Sequence, residues 1–362
     1  MKEKNKSSRR IFFEKIAAGS LGAALAGGVG VKVFAAENTH TNPLINMDDG
    51  NEFASGKKFV PVMLTPYKQN GQIDFEGLSK LMDFYLAAGV KGFFANCLSS
   101  EMYSLTAAER LFLARHVVKR VNGAVPVVAT GSFGDSLADK AAFTKQMYHT
   151  GINAVILITG HFAKAEESDD VLISNFEKFF ALTDNIPLGT YECPSPYKRI
   201  ITPYVFKYLL GSNRLIYHKD TSIDFDKVKA KIELIKNNRL EFYDACVANT
   251  MYSLQAGAKG MSAICGNFYP EILGWMCNNA TNPGRQEDVK YIQAQLTKTE
   301  DIISANYSLS AKYFLQKRGV PIEISSRTSS SPLTVAQKQT LDEVYKTFLG
   351  WCDRIGIKPV MI

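Results

Sequence analysis

Short apolar runs alternate with longer amphipathic stretches along most of this chain. The runs at residues 59–64, 92–96, 125–130, 154–159, 186–191, 215–219, 240–243 and 260–265 have the composition of buried strands and recur about every thirty residues. Between them, segments such as 74–88, 106–121, 135–150 and 168–182 place apolar residues at helical spacing. Eight strand-helix units in about 220 residues predict a (β/α)8 TIM barrel, whose chemistry gathers at the carboxyl ends of the strands. An open doubly wound sheet is the alternative. The first strand lacks the Gly-x-Gly-x-x-Gly turn that would favour it.

Beyond the eighth strand, further helices are predicted near 270–278, 286–295, 302–318 and 334–355, more than a closed barrel requires. Gly319-Val320-Pro321 ends one of them, and a polar loop at 325–332 precedes the last. The predicted division is a barrel at 58–268 and a C-terminal helical extension of the same domain at 269–362. With 46% hydrophobic residues, such a chain can bury one large core.

The first 57 residues break this pattern. Ser8-Arg9-Arg10-Ile11-Phe12-Phe13 precedes a Gly/Ala-rich stretch at 16–31 and then Val33-Phe34-Ala35, which offers small residues at cleavage spacing. This resembles a twin-arginine export signal, with the usual lysine displaced by Glu14 to Lys15. The alternatives are a basic tail or a membrane anchor, but the stretch is too short and glycine-rich for a comfortable span. The expectation is a signal peptide at 1–35, a flexible lead-in at 36–57, a periplasmic location and no stable membrane insertion after processing. Residues 1–35 hold seven Lys/Arg and two Asp/Glu, a net of +5, so only +2 of the chain's +7 remains beyond them. With no aromatic-interleaved basic patch elsewhere, this excludes a nucleic-acid footprint.

Candidate chemistry concentrates at strand ends. Lys219 closes the run Leu215-Ile216-Tyr217-His218-Lys219, and an inward lysine there loses proton affinity and presents a nucleophilic amine. Tyr191 ends the preceding strand and can shuttle protons. The bland alternative is a snorkelling surface lysine. His218 should face the other side and pack on helices, whereas His161 lies in the loop after the fourth strand. Cys97, Cys193, Cys246 and Cys265 fall near strand ends without metal spacing and read first as small buried hydrophobes, second as a disulfide or thiol site.

Taken in order, Val62-Met63-Leu64-Thr65-Pro66-Tyr67, Gly89-Val90-Lys91-Gly92, Glu101 before Leu105-Thr106-Ala107-Ala108-Glu109-Arg110, Tyr191 before Cys193-Pro194, and His218-Lys219-Asp220-Thr221-Ser222 resemble the dihydrodipicolinate synthase and N-acetylneuraminate lyase family. Lys259-Gly260 and Gly266-Asn267 continue the resemblance across roughly 58–300. It implies a class I pyruvate aldolase in which Lys219 forms the imine and Tyr191 moves the proton, without metal or organic cofactor, in a homodimer or homotetramer. Substrate contacts are expected from Leu98, Ser99, Ser100, His161, Lys198, Arg199 and Cys265.

Departures from the family narrow the substrate. Cys97-Leu98-Ser99-Ser100-Glu101 stands where the family has Gly-Thr-Thr-Gly-Glu: Ser99 keeps a carboxylate-binding hydroxyl, while Leu98 interrupts the synthase's proton relay. Phe162 replaces a tyrosine, and Pro196 takes the place of an arginine, with Lys198 and Arg199 just beyond. The expected function is therefore an exported lyase acting on a sugar-derived 2-keto acid. A ketoacid-binding barrel with little turnover and a dehydratase on the same scaffold are the alternatives.

Overall fold

A computed structural model describes residues 56–329 and 331–362. The expected signal peptide and residues 36–55 of the lead-in lie outside the described residues. Eight parallel strands form the centre: β1 (Lys58–Phe59), β2 (Phe93–Ala95), β3 (Val127–Thr130), β4 (Ala154–Ile158), β5 (Leu188–Tyr191), β6 (Leu215–Asp220), β7 (Glu241–Asp244) and β8 (Gly260–Met261). They pair in the order β1-β8-β7-β6-β5-β4-β3-β2. A parallel bridge between Val62 and Phe94 joins the two ends of that order and closes the barrel.

β1 is shorter than the apolar run 59–64 because Pro61 has no N–H to give the ladder. The chain stays extended through it: Phe94 N donates to Pro61 O and Met63 N to Phe94 O, both at 3.0 Å. The strands alternate as a closed barrel demands. On β4, Ala154, Ile156 and Ile158 join the interior cluster with Phe94, Tyr191, Tyr217 and Tyr243. Val155 and Leu157 instead join the shell between strands and helices.

The helices start where local chemistry supplies their orphan N–H groups. Helix α1 (Phe75–Ala87) is capped by Asp74. Helix α2 (Ala107–Val121) begins at a Thr106/Glu109 capping box and α3 (Leu137–Tyr148) at a Ser136/Asp139 box, while Ser168 caps α4 (Asp169–Leu182). Helices α5 (Pro203–Gly211), α6 (Phe225–Leu234) and α7 (Thr250–Ala256) complete the ring with α8 (Pro270–Asn279), which follows β8 and packs on β1.

Three more helices follow: α9 (Gln286–Ser304), α10 (Leu309–Lys317) and α11 (Val335–Ile355). The predicted helix at 302–318 is in fact two pieces. Ile302 lies in the last turn of α9, which ends at Ser304, and Asn306 in the left-handed region (φ 57°) turns the chain before α10. That break carries Tyr307 and Ser308 to the carboxyl end of the barrel. Buried Trp351 and Phe348 of α11 pack on Tyr269, and the buried Arg318 guanidinium pairs with Glu271.

Candidate active site

The site is organised by an irregularity in β6. Leu188 pairs with Leu215, but the next residue, Gly189, pairs with Tyr217, so Ile216 is an extra residue in the strand. Leu215 packs in the outer shell, and after the bulge Tyr217 and Lys219 face the interior. Gly189 is required there, since a Cβ would lie 2.8 Å from the Cβ of Tyr217. Without the bulge, strict alternation from Leu215 would turn Lys219 outward.

Lys219 pairs in register with Tyr191. Its Nζ lies 4.5 Å from the Tyr191 ring centre and 5.4 Å from that of Phe94. Lys219 is 4% exposed, and among the described residues no carboxylate reaches ion-pair distance of its amine. Burial therefore pulls its pKa down to about 8, with the nearby Cys97 and Cys193 thiols acting in the opposite sense. Burial likewise holds the Tyr191 phenol well above its ordinary value, reinforced by Cys193 and Cys97.

The loop after β2 lies above these groups. Leu98 packs on the interior cluster that contains Tyr191, and the hydroxyl of half-buried Tyr307 accepts from the Asn267 amide. The Ser100 hydroxyl is used within the fold: it donates to Met63 O at 2.6 Å and accepts from Cys97 N at 3.1 Å. Glu101, at φ 56°, accepts from the Ser308 and Ser326 hydroxyls and from Arg327 N, and so fastens the polar loop before α11 to the barrel. Lys312, also held near pKa 8 by burial, donates to Thr65 O and Ser325 O beside that carboxylate.

The other expected contacts separate. Lys198 donates to Thr221 O at 2.9 Å, at the rim beside the end of β6. Arg199 turns away to Asp169 at 2.9 Å and Glu167 O at 2.7 Å, which occupy both terminal nitrogens of its guanidinium. Cys265 does not line the interior: it is fully buried in the strand-helix shell, where burial raises its thiol pKa. Cys97 and Cys193 alone of the four strand-end cysteines join the cluster around Tyr191, and all six cysteines are free and buried. Phe162 is buried and stacks on Phe176 at 4.4 Å, its ring given over to packing. His161 stands at the mouth beside Tyr103. Tyr103, Tyr307 and Lys312 went unnoticed in the sequence. Tyr103, two residues beyond Glu101 in a strand-end loop, carried the one local signal.

Behind the strands lies a second charged group. Lys231 of α6 pairs with Glu192 and, at 2.7 Å, with Asp220, and all three are fully buried. His218 packs between Phe206 and Phe242 on this outer face, as its place on the strand predicted. Glu192, His218 and Asp220 approach closely enough to hold a cation, and the Lys231 ammonium already bonds the two carboxylates.

Barrel, bulge and buried amine at a strand end define a (β/α)8 protein with a lysine-centred interior site. The chain belongs to the dihydrodipicolinate synthetase family, whose profile matches residues 56–348. This is a lyase family. The 4-hydroxy-tetrahydrodipicolinate synthase of Bacillus subtilis (strain 168) is 26% identical over 280 residues, covering 77% of this chain and 94% of that protein. Among solved structures, a prophage protein of the same family from E. coli K12, in complex with pyruvate, aligns with a TM-score of 0.70 at 22% identity over 81% of this chain and 98% of its own. Dihydrodipicolinate synthase from Thermotoga maritima aligns with a TM-score of 0.72 at 19% identity over 82% and 99%.

Proposed function

We propose that this chain is an exported class I aldolase acting on a pyruvate-type 2-keto acid derived from a sugar acid. Lys219 forms the imine and Tyr191 shuttles the proton. The observation that carries this reading is the buried, carboxylate-free amine of Lys219, whose pKa near 8 leaves part of it neutral at physiological pH. The neutral amine attacks the ketone carbon and water departs. The protonated imine then accepts electrons as the C3–C4 bond breaks and its pair forms C2=C3. Imine chemistry of this kind calls on no metal or organic cofactor. Pyruvate bound to the E. coli K12 relative supports the choice of keto acid.

Leu98 in place of a relay hydroxyl, and Arg199 committed to Asp169, argue against the semialdehyde substrate of the synthases. An export signal at 1–35 agrees, since sugar acids from polysaccharide breakdown occur outside the cytoplasm. The working assembly is a homodimer or homotetramer.

Incubation with pyruvate and borohydride should leave a reduced adduct that peptide mass spectrometry maps to Lys219. An adduct at Lys312, or an unmodified Lys219 in folded protein, refutes the assignment. Leu98 favours one rival, a ketoacid-binding barrel with little turnover. Trapping without product release from any of a panel of 2-keto-3-deoxy sugar acids would select it.

A further inference from the structure

Four strand-end loops bring together a second acid–base group at the barrel mouth. Tyr103 comes from the loop after β2, Ser132 from that after β3, His161 from that after β4 and Ser195 from that after β5. The His161 Nδ1 lies 2.6 Å from the carbonyl oxygen of Ser132, which can only accept, so Nδ1 carries the proton and Nε2 keeps a lone pair. The Ser132 hydroxyl, 3.2 Å away, adds a second contact at the same nitrogen. Nε2 faces the Tyr103 hydroxyl at 3.1 Å, and that hydroxyl also lies 2.7 Å from Ser195 O. One phenolic proton thus faces two acceptors.

The pair is held in place and poised. The His161 ring meets Tyr103 and Phe133 edge-on at 6.2 and 5.8 Å, and the Arg110 guanidinium lies 3.8 Å over Phe133. Burial, with smaller contributions from Lys140 and Arg110, lowers the His161 pKa to about 4 against the opposing hydrogen bond to Ser132. Nε2 is therefore an unprotonated base at neutral pH. Tyr103 remains 40% exposed, open to a molecule entering the mouth. It is also near the imine site: it meets Phe133 edge-on at 6.0 Å, and Phe133 packs on the interior cluster that contains Tyr191.

We propose that Tyr103 and His161 are the acid–base pair that removes the substrate's hydroxyl proton during carbon–carbon cleavage, replacing the relay interrupted at Leu98. This rests on the imine reading of Lys219. With the keto acid held as a protonated imine, the C4 hydroxyl gives its proton to the Tyr103 oxygen as Tyr103 passes its own to His161 Nε2. The C4–O electrons close the aldehyde carbonyl and the C3–C4 bond breaks. Its electron pair forms C2=C3, and the iminium nitrogen becomes a neutral enamine. Tyr191 then protonates C3, and water hydrolyses the resulting imine to pyruvate and the Lys219 amine. The proton on His161 leaves to solvent as one is regained at Tyr191, so none is gained or lost overall.

The test compares Tyr103→Phe and His161→Ala with the wild-type enzyme. The substrate is whichever 2-keto-3-deoxy sugar acid of the panel the wild type cleaves fastest. Both variants should lose about 10²- to 10⁴-fold in cleavage. Borohydride trapping of pyruvate on Lys219, and deuterium uptake at the pyruvate methyl group, should persist in both. Added imidazole should restore part of the cleavage by His161→Ala. Cleavage at the wild-type rate in either variant overturns the proposal, and so does a parallel loss of trapping and exchange, which would mean that the pair merely shapes the pocket. A wild type that fails to trap pyruvate refutes the imine assignment itself, and one that traps but cleaves no panel member refutes the lyase reading. Either result takes this proposal with it, by a signature distinct from failure of the pair alone.

Discussion

Lys219 and Lys231 are both sealed from solvent, one inside the barrel and one behind it, and the protein treats them in opposite ways. Lys219 has aromatic rings and thiols around it and no carboxylate, so burial lowers its pKa to about 8. Lys231 suffers the same desolvation, but the Glu192 and Asp220 carboxylates outweigh it and raise its pKa. These partners follow Tyr191 and Lys219 directly in sequence, so neighbouring residues at the ends of β5 and β6 serve opposite purposes. A buried amine without a partner is chemically available. A buried amine with two is structural, and it fastens α6 to the ends of the strands that carry the site.

The sharpest way to break this comparison is to remove each lysine. Lys219→Met should abolish pyruvate trapping and cut turnover by about 10⁴-fold or more, as loss of a covalent nucleophile does, while the unfolding midpoint in urea stays at or above that of wild type. A strongly destabilised Lys219→Met would show that the amine is structural after all. Lys231→Met should have the reverse profile. It leaves two buried carboxylates uncompensated and should cost about 3–5 kcal/mol in urea unfolding. Adding Glu192→Gln and Asp220→Asn to that variant should recover much of the loss, and an equally unstable triple variant would contradict the charge explanation.

A third test separates the two environments by pH. Imine formation needs the neutral Lys219 amine, so its second-order rate with pyruvate should fall about tenfold per pH unit well below pH 8 and level off above it. The same titration has a stability consequence. Between about 8 and the ordinary value of 10.5 the unfolded chain still holds a proton that the folded barrel has released, so stability should rise with pH across that window, with the unfavourable contribution fully present below it. A flat rate profile through pH 8 would show that Lys219 is not so perturbed. The smallest expected effect is a control outside both clusters: Thr106→Ala opens the α2 capping box and should cost about 1 kcal/mol, read from the urea midpoint, without altering trapping.

Much of the scaffold was legible because its signals are local. Strand positions, capping boxes at Thr106, Ser136 and Thr334, and the placing of Lys219 and Tyr191 at strand ends follow from neighbours within a few residues. Cys265 was misplaced because proximity to a strand end does not say which face a side chain takes. Arg199 sat beside the right motif yet bonds Asp169, a residue thirty positions earlier whose approach the sequence does not reveal. Lys231 drew no expectation from the sequence, since its partner Glu192 lies 39 positions earlier.

The sequence by itself determined the repeating strand-helix order, the starts of most helices and the lysine and tyrosine presented at adjacent strand ends, since periodicity and capping act between residues close along the chain. Tertiary structure decided which lysine surrenders its proton, because desolvation and charge act through space and the deciding groups lie on different strands, loops and helices. It decided the inward turn of Lys219 as well, through one extra residue at Ile216 that exists only as a mismatch between β5 and β6. The meeting of Tyr103 with His161, brought from separate loops by closure of the ring, has the same origin.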